Sequence, residues 1–166
     1  MQGITPFLWF DDQAEEAANH YVSIFSSAGR DDSEITHVAH YTASGAKAAG
    51  RPEGSVMTVG FRLGGQDFMA LNGGPLFPFT EAVSFAVNCE TQEEVDHFWG
   101  RLSEGGEEGV CGWLKDRYGL SWQVVPAAME RMLHEGDPER NDRVMAAVLQ
   151  MKKLDIETLR QAYEQG

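Results

Sequence analysis

A pattern of strand, helix and further strands occurs twice along the chain, displaced by 78 residues. That displacement lays Phe7 on Phe85, Trp9 on Val87, Glu15-Glu16-Ala17 on Glu93-Glu94-Val95, Tyr21 on Trp99 and Ile24 on Leu102. A repeat constrains architecture more firmly than a short motif, because each copy is one supersecondary unit that needs a neighbour to cover its apolar face. The fold class expected is therefore α+β: tandem βαβββ modules whose strands form a curved mixed sheet, with additional C-terminal helices. Module one is placed at 4–80, module two at 81–126 and the helices at 127–166, all within one domain spanning 1–166, a length typical of a single domain.

Residues 4–10, Ile-Thr-Pro-Phe-Leu-Trp-Phe, read as a strand buried on both faces. Asp11 and Asp12 offer an N-cap, and Glu15 and Glu16 suit a first helical turn. Ala14, Ala17, Ala18, Tyr21, Val22 and Phe25 follow at helical spacing, and the pattern breaks from 26 to 32. Strands are expected at 34–42, 55–63 and 66–72, the last two joined by Gly64-Gly65 as a hairpin turn. The stretch 43–54, rich in Ala, Gly and Lys without a period, reads as a flexible loop. The second copy gives a strand at 82–89, a helix at 91–102, and strands at 109–114 and 121–125 around a turn at 116–120. Beyond Pro126 the texture is helical: one segment at 127–133, and a second capped by Asp137 with Pro138 in first position. The Val144, Ala147, Val148 and Met151 stripe of the second reads as packing, and Asp155 caps a last helix carrying Ile156, Leu159 and Tyr163.

Lys and Arg number 13 against 26 Asp and Glu, a net charge of −13. Such an excess opposes binding to a nucleic-acid backbone or an anionic membrane surface and suits neutral or cationic partners. No window approaches the roughly 20 apolar residues of a membrane span, and the N-terminus lacks the basic stretch and apolar run of a secretory leader. Cys89 and Cys111 are too few for a disulfide framework, and both fall in strand-like segments. A reduced, cytoplasmic protein is expected.

Three stretches carry a resemblance to a known family: Leu71-Asn-Gly-Gly-Pro75, the thirteen residues from Val83 to Val95, and Cys111-Gly-Trp-Leu-Lys-Asp-Arg-Tyr-Gly-Leu-Ser-Trp-Gln-Val-Val-Pro126. Together with the opening strand and helix they resemble the vicinal oxygen chelate, or glyoxalase/bleomycin-resistance/dioxygenase, superfamily. The narrower likeness is to its PhnB-like branch, often labelled 3-demethylubiquinone-9 3-methyltransferase. The resemblance implies one divalent metal held by His, Glu or similar donors from equivalent strands of both modules. Those positions fall here on Pro6, Ser84, Gln123, and Ala70 or, with a register slip of one, Met69. Pro, Ala and Met offer no oxygen or imidazole, and Ser and Gln are neutral, so no metal is expected there. His37 and His40, three apart on a strand, point to opposite faces, and His20 and His97 look like solvent-side helix residues. Methyl transfer is not supported either, because no Gly-rich turn joins a strand to a helix in the manner of a nucleotide-type cofactor site. No cofactor is expected.

The candidate ligand pocket comprises Ser84, Gln123 and Trp122 around the vacated metal position. Asn72 ends a strand with backbone groups open to a ligand, Trp113, Lys115 and Asp116 lie beside the Asp-x-x-Gly turn, and Cys111 is a possible thiol nucleophile. No catalytic residue is assigned. The expected function is metal-free binding of a small molecule, by a homodimer whose contacts include the apolar run Leu76-Phe77-Pro78-Phe79 or the C-terminal helices. A metal-dependent lyase, isomerase or dioxygenase, a methyltransferase, and a protein sequestering a cationic drug are the alternatives.

Overall fold

A computed structural model describes residues 3–135 and 137–165, in two compact units, one running through Phe79 and the other starting at Thr80. The first unit contains β1 (Phe7–Phe10), α1 (Ala14–Ser27), β2 (Glu34–His40), α2 (Ala43–Ala49), β3 (Val56–Leu63) and β4 (Gln66–Asn72). Its four strands are ordered β1-β4-β3-β2, with β1 parallel to β4 and the other pairs antiparallel. The second unit contains β5 (Ser84–Cys89), α3 (Gln92–Ser103), β6 (Glu107–Glu108), β7 (Trp113–Lys115), β8 (Ser121–Pro126), α4 (Ala127–Glu135), α5 (Pro138–Val148) and α6 (Ile156–Glu164). Its sheet repeats the topology as β5-β8-β7-β6, again with a parallel first pair. The fold is α+β, and each repeat builds a mixed four-stranded sheet packed on one helix.

The helical halves of the repeat match at the displacement of 78: Tyr21 and Trp99 are each the eighth residue of their helix, and both are buried. The strands match at 79 instead. Phe7 pairs with Met69 and Leu8 with Ala70, and the corresponding pairs are Ala86 with Gln123 and Val87 with Val124. Phe7 is thus equivalent to Ala86, not Phe85, and Thr5 rather than Pro6 matches Ser84. The cause is the turn after the first strand, which has three residues (11–13) in the first unit and two (90–91) in the second.

Other sequence expectations are corrected in the same way. β1 is not buried on both faces: Leu8 and Phe10 face the core, while Phe7 stays exposed. Neither Asp11 nor Asp12 caps α1, whose cap position is Gln13 without a side-chain bond. The Ala14 N–H instead donates to Asn72 Oδ1 at 2.8 Å. The stretch beginning at Ala43 forms α2, closed by Gly50 in the left-handed conformation at φ 65°. Ala is the strongest helix former, and its density outweighs the missing apolar period. The 109–114 strand is interrupted: Gly109 N–H donates to Trp113 O at 2.8 Å, so residues 109–112 make the turn between β6 and β7. Cys111, at φ 58°, therefore lies in a turn rather than a strand. His20 and His97 are half-buried, not solvent-side.

Asp137 and Asp155 do cap α5 and α6, accepting from the N–H of Arg140 at 2.9 Å and of Thr158 at 2.7 Å. Val144, Val148, Leu154 and Leu159 form a core beneath these helices, with Met129, Met132 and Met151 against it. Gln92 of α3 ties the segment down, accepting from Ile156 N–H at 2.9 Å and donating to Leu154 O at 3.2 Å. Among the described residues no helix is long and apolar enough to cross a membrane.

Candidate functional site

The 2.0-residue period of a strand sorts the residues of β8 and β7 onto two faces. Trp122 and Val124, with Leu114 of β7, are buried on the face that packs against α3. Ser121 and Gln123 lie on the other face, opposite Lys115 and Trp113 respectively. Ser84 is in register with Ser121, and its hydroxyl accepts from Gln123 Nε2 at 2.9 Å.

On the edge of this sheet is a cleft of about 530 Å³. Lys115, Ser121, Trp113, Cys111, Val110 and Glu81 are among the residues lining it. Lys115 Nζ is 2.9 Å from Glu81 Oε1 and 3.4 Å from Glu107 Oε2. Its hydrogen bonds to those two carboxylates hold its pKa above the ordinary lysine value, and the bond to Lys115 holds Glu81 below the usual carboxylate range. Ser121 is 1% exposed, and its Oγ has no hydrogen-bond partner. A buried hydroxyl without a partner costs free energy, so it marks a place where a further group can bond. The loop carrying Cys111 is held from the C-terminal segment: Cys111 and Gly112 N–H donate to Met151 and Lys152 O, each at 2.8 Å.

Of the residues named from sequence, Lys115, Trp113 and Cys111 line the cleft together, and Ser84 and Gln123 lie on the same sheet face. Asp116 and Trp122 are placed elsewhere. Asp116 is next to Lys115 on the chain and so takes the opposite side, where its carboxylate accepts from Trp122 Nε1 at 2.8 Å and from the N–H groups of Tyr118 and Leu120. Asn72 is in the first unit and its groups are in use. Oδ1 caps α1, Nδ2 donates to Val56 O at 3.1 Å, and the backbone carbonyl accepts from Tyr41 OH at 2.7 Å. Its neighbours are engaged as well, Gly73 N–H with Phe10 O and Gly74 O with the Trp9 indole. Ser121, Glu81 and Glu107 were missed. The signal that could have found Ser121 is its place in the strand period, two before Gln123, but a serine at a strand start is commonplace.

Whether a metal fits the positions implied by the resemblance depends on the donors they carry. Met69, not Ala70, occupies the place of Gln123, since both oppose the strand that crosses them on the face away from the helix. The set is then Thr5 or Pro6, Met69, Ser84 and Gln123, which carries no charge and no imidazole, and its two second-unit members are bonded to each other. Among the described residues no group of three His, Cys, Asp or Glu is placed to hold a metal. These residues do not fit a divalent metal.

The model of the 3-demethylubiquinone-9 3-methyltransferase family matches residues 2–125. The chain belongs to this family. Its PhnB-like character is seen in the PhnB protein from Bacillus cereus, 38% identical, which aligns over 76% of this chain and 100% of its own, with a TM-score of 0.65. Two more distant structures show the fold alone. Protein PA1353 from Pseudomonas aeruginosa is 19% identical over 76% of this chain and 98% of its own, with a TM-score of 0.58. The fosfomycin resistance protein FosX from Listeria monocytogenes is 17% identical over 80% and 96%, with a TM-score of 0.53. The sequence matches none of the curated proteins. Helices α4 to α6 lie beyond the residues the family model matches.

Proposed function

We propose that this PhnB-like protein binds a small molecule in the cleft of its second unit, without the divalent metal of the wider superfamily. The observation that carries this reading is the cleft itself, within the usual 300–1,000 Å³ range of ligand pockets and lined in part by Ser121, whose buried hydroxyl has no partner. The donor set supports the metal-free half: an open site for a chelating substrate needs charged or imidazole ligands, and Met69, Ser84 and Gln123 supply none. Methyl transfer finds no support in the glycine turns, since Gly64-Gly65 joins two strands and Gly105-Gly106 follows a helix. Lyase, isomerase or dioxygenase chemistry routed through a metal lacks its ligands here. A homodimer in a cytoplasmic setting completes the proposal, supported by the exposed Leu76 and Phe77.

Thermal-shift measurements with a metabolite collection and with Zn, Ni and Mn salts test it, because a ligand that binds only the native state raises stability. Stabilisation by organic small molecules and none by the metals is expected. Protein purified without chelator should hold well under one equivalent of metal. A near-stoichiometric content that falls in Gln123→Ala would overturn the metal-free reading.

A further inference from the structure

The two units carry a cross-strand row at corresponding places, acid then base in both, and the third position changes from an acid to a serine. In the first, Glu34, Arg62 and Asp67 are in register across β2, β3 and β4. Arg62 Nε is 2.7 Å from Asp67, and Arg62 Nη1 is 3.2 Å from Glu34. In the second, Glu107, Lys115 and Ser121 take the corresponding places on β6, β7 and β8. Serine thus stands where the first unit has its second acid, and its hydroxyl is left alone. The adjoining position differs too. Gly60 of the first unit corresponds to Trp113, and the space over Gly60 is filled by the His37 ring. The first unit closes its row with Asp67 and fills the space over Gly60, whereas in the second Lys115 takes its second acid from Glu81, outside the row, and Ser121 is left unbonded.

Every charged side chain lining that cleft already has an ion-pair partner, with three carboxylates set against two lysines. Glu81 and Glu107 share Lys115. Glu108 accepts from the Trp99 indole at 3.1 Å and lies 3.8 Å from Lys152 Nζ. A ligand anion would meet the excess of carboxylates, and a ligand cation would have to compete with Lys115 and Lys152 for carboxylates already paired. The Ser121 hydroxyl needs only one neutral donor or acceptor, and Val110 and Trp113 present exposed apolar area beside it.

We infer that the cleft takes a neutral, mainly apolar small molecule with one carbonyl, amide or hydroxyl group, which bonds Ser121 Oγ while its body lies against Trp113 and Val110. This rests on the small-molecule reading above and narrows it. It excludes phosphonates, carboxylates and cationic drugs as preferred ligands.

Three naphthalenes of matched shape separate the possibilities at neutral pH: 2-naphthamide, anionic 2-naphthoate and cationic 2-naphthylmethylamine. Affinities come from ligand-detected NMR, and location from the rate at which iodoacetamide alkylates Cys111 in the cleft, with fully buried Cys89 as the internal blank. The amide should bind at least about tenfold more tightly than either charged probe and slow Cys111 alkylation. Ser121→Ala should weaken the amide about fivefold, one neutral hydrogen bond, and should raise rather than lower the melting temperature, since an unpaired buried hydroxyl is removed and no bond within the protein is lost. Val110→Asp, at an exposed position, should weaken the amide without unfolding the chain. A charged probe that binds as tightly as the amide, or amide binding indifferent to Ser121→Ala, would overturn the inference while small-molecule binding stood. Failure of all three probes to bind or to protect Cys111 at millimolar concentration would overturn both.

Discussion

Asp116 is 3% exposed, and its side chain accepts hydrogen bonds from two N–H groups of its own turn and from the Trp122 indole, as a buried polar group requires. Part of this was legible: an Asp three before a Gly in a loop is the signature of a side chain bonding the backbone two residues on. The indole partner was not, because it depends on how β8 returns beside β7. Removing the carboxylate takes an acceptor from two backbone N–H groups and from the Trp122 indole. Asp116→Ala should lower stability by about 3 kcal/mol in urea denaturation, and Asp116→Asn, which keeps an acceptor oxygen, by about half as much. An Asp116→Ala protein as stable as wild type would refute this account. Asn72 is the counterpart in the first unit, reaching 58 residues along the chain to cap α1. Such a bond has no sequence signature, which is why the residue read as an open loop end. Asn72→Ala should cost about 2 kcal/mol through the lost cap and the unpaired Val56 carbonyl.

Elements were recognised where apolar residues keep a period and misread where they do not. The strands other than β6 and β7, and the helices α1, α3, α4, α5 and α6, follow from apolar runs, helical spacing and caps. α2 has one buried residue, Ala46, so no stripe announced it. The offset of one between strands and helices was hidden because alignment of the acidic first turns fixed the displacement for the whole copy. Gly50 ends α2 with open space around its Cα; Gly50→Ala should therefore cost only the left-handed backbone penalty, about 1 kcal/mol. The C-terminal helices carry a pH dependence. Thr158 hydroxyl and N–H hold Asp155 below the usual carboxylate pKa, Lys153 and Gln92 do so for Asp96, and the Arg140 N–H does so for Asp137. Each pKa is depressed on folding, so the unfolded chain takes up protons first as the pH falls. The stabilisation is complete well above the unfolded-state value of about 3.9 and shrinks as pH approaches it. It is gone once pH has dropped below the folded-state values. Far-UV circular dichroism during acid titration should show helix lost in that window, and Asp155→Asn should flatten the profile. A profile unaltered in that variant would count against the cap as its source.

For the whole molecule, the question is what covers the apolar surface of the first unit. Leu76 is 68% exposed, Phe77 58% and Phe7 59%. Phe77 is ordered against Trp9, ring centroids 4.9 Å apart, and Phe79 against Phe10 at 5.2 Å. The run therefore forms a fixed platform of aromatic edges rather than a loose loop. Contiguous exposed apolar area of this kind marks interfaces, whose centres are rich in aromatic residues and poor in charge. With a net charge of −13, two copies repel at long range, and association requires a neutral contact such as this one. A lasting homodimer would bury on the order of 2,000 Å² in total. Light scattering at micromolar concentration should then give twice the 18.4 kDa chain mass. Phe77→Asp should return it to the single-chain mass, because a carboxylate without a partner in that seam costs several kcal/mol. The substitution replaces an exposed side chain, so the melting temperature measured at high dilution should hardly change. A single-chain mass for the wild type, or a dimer that survives Phe77→Asp, would show that this platform does not pair two copies.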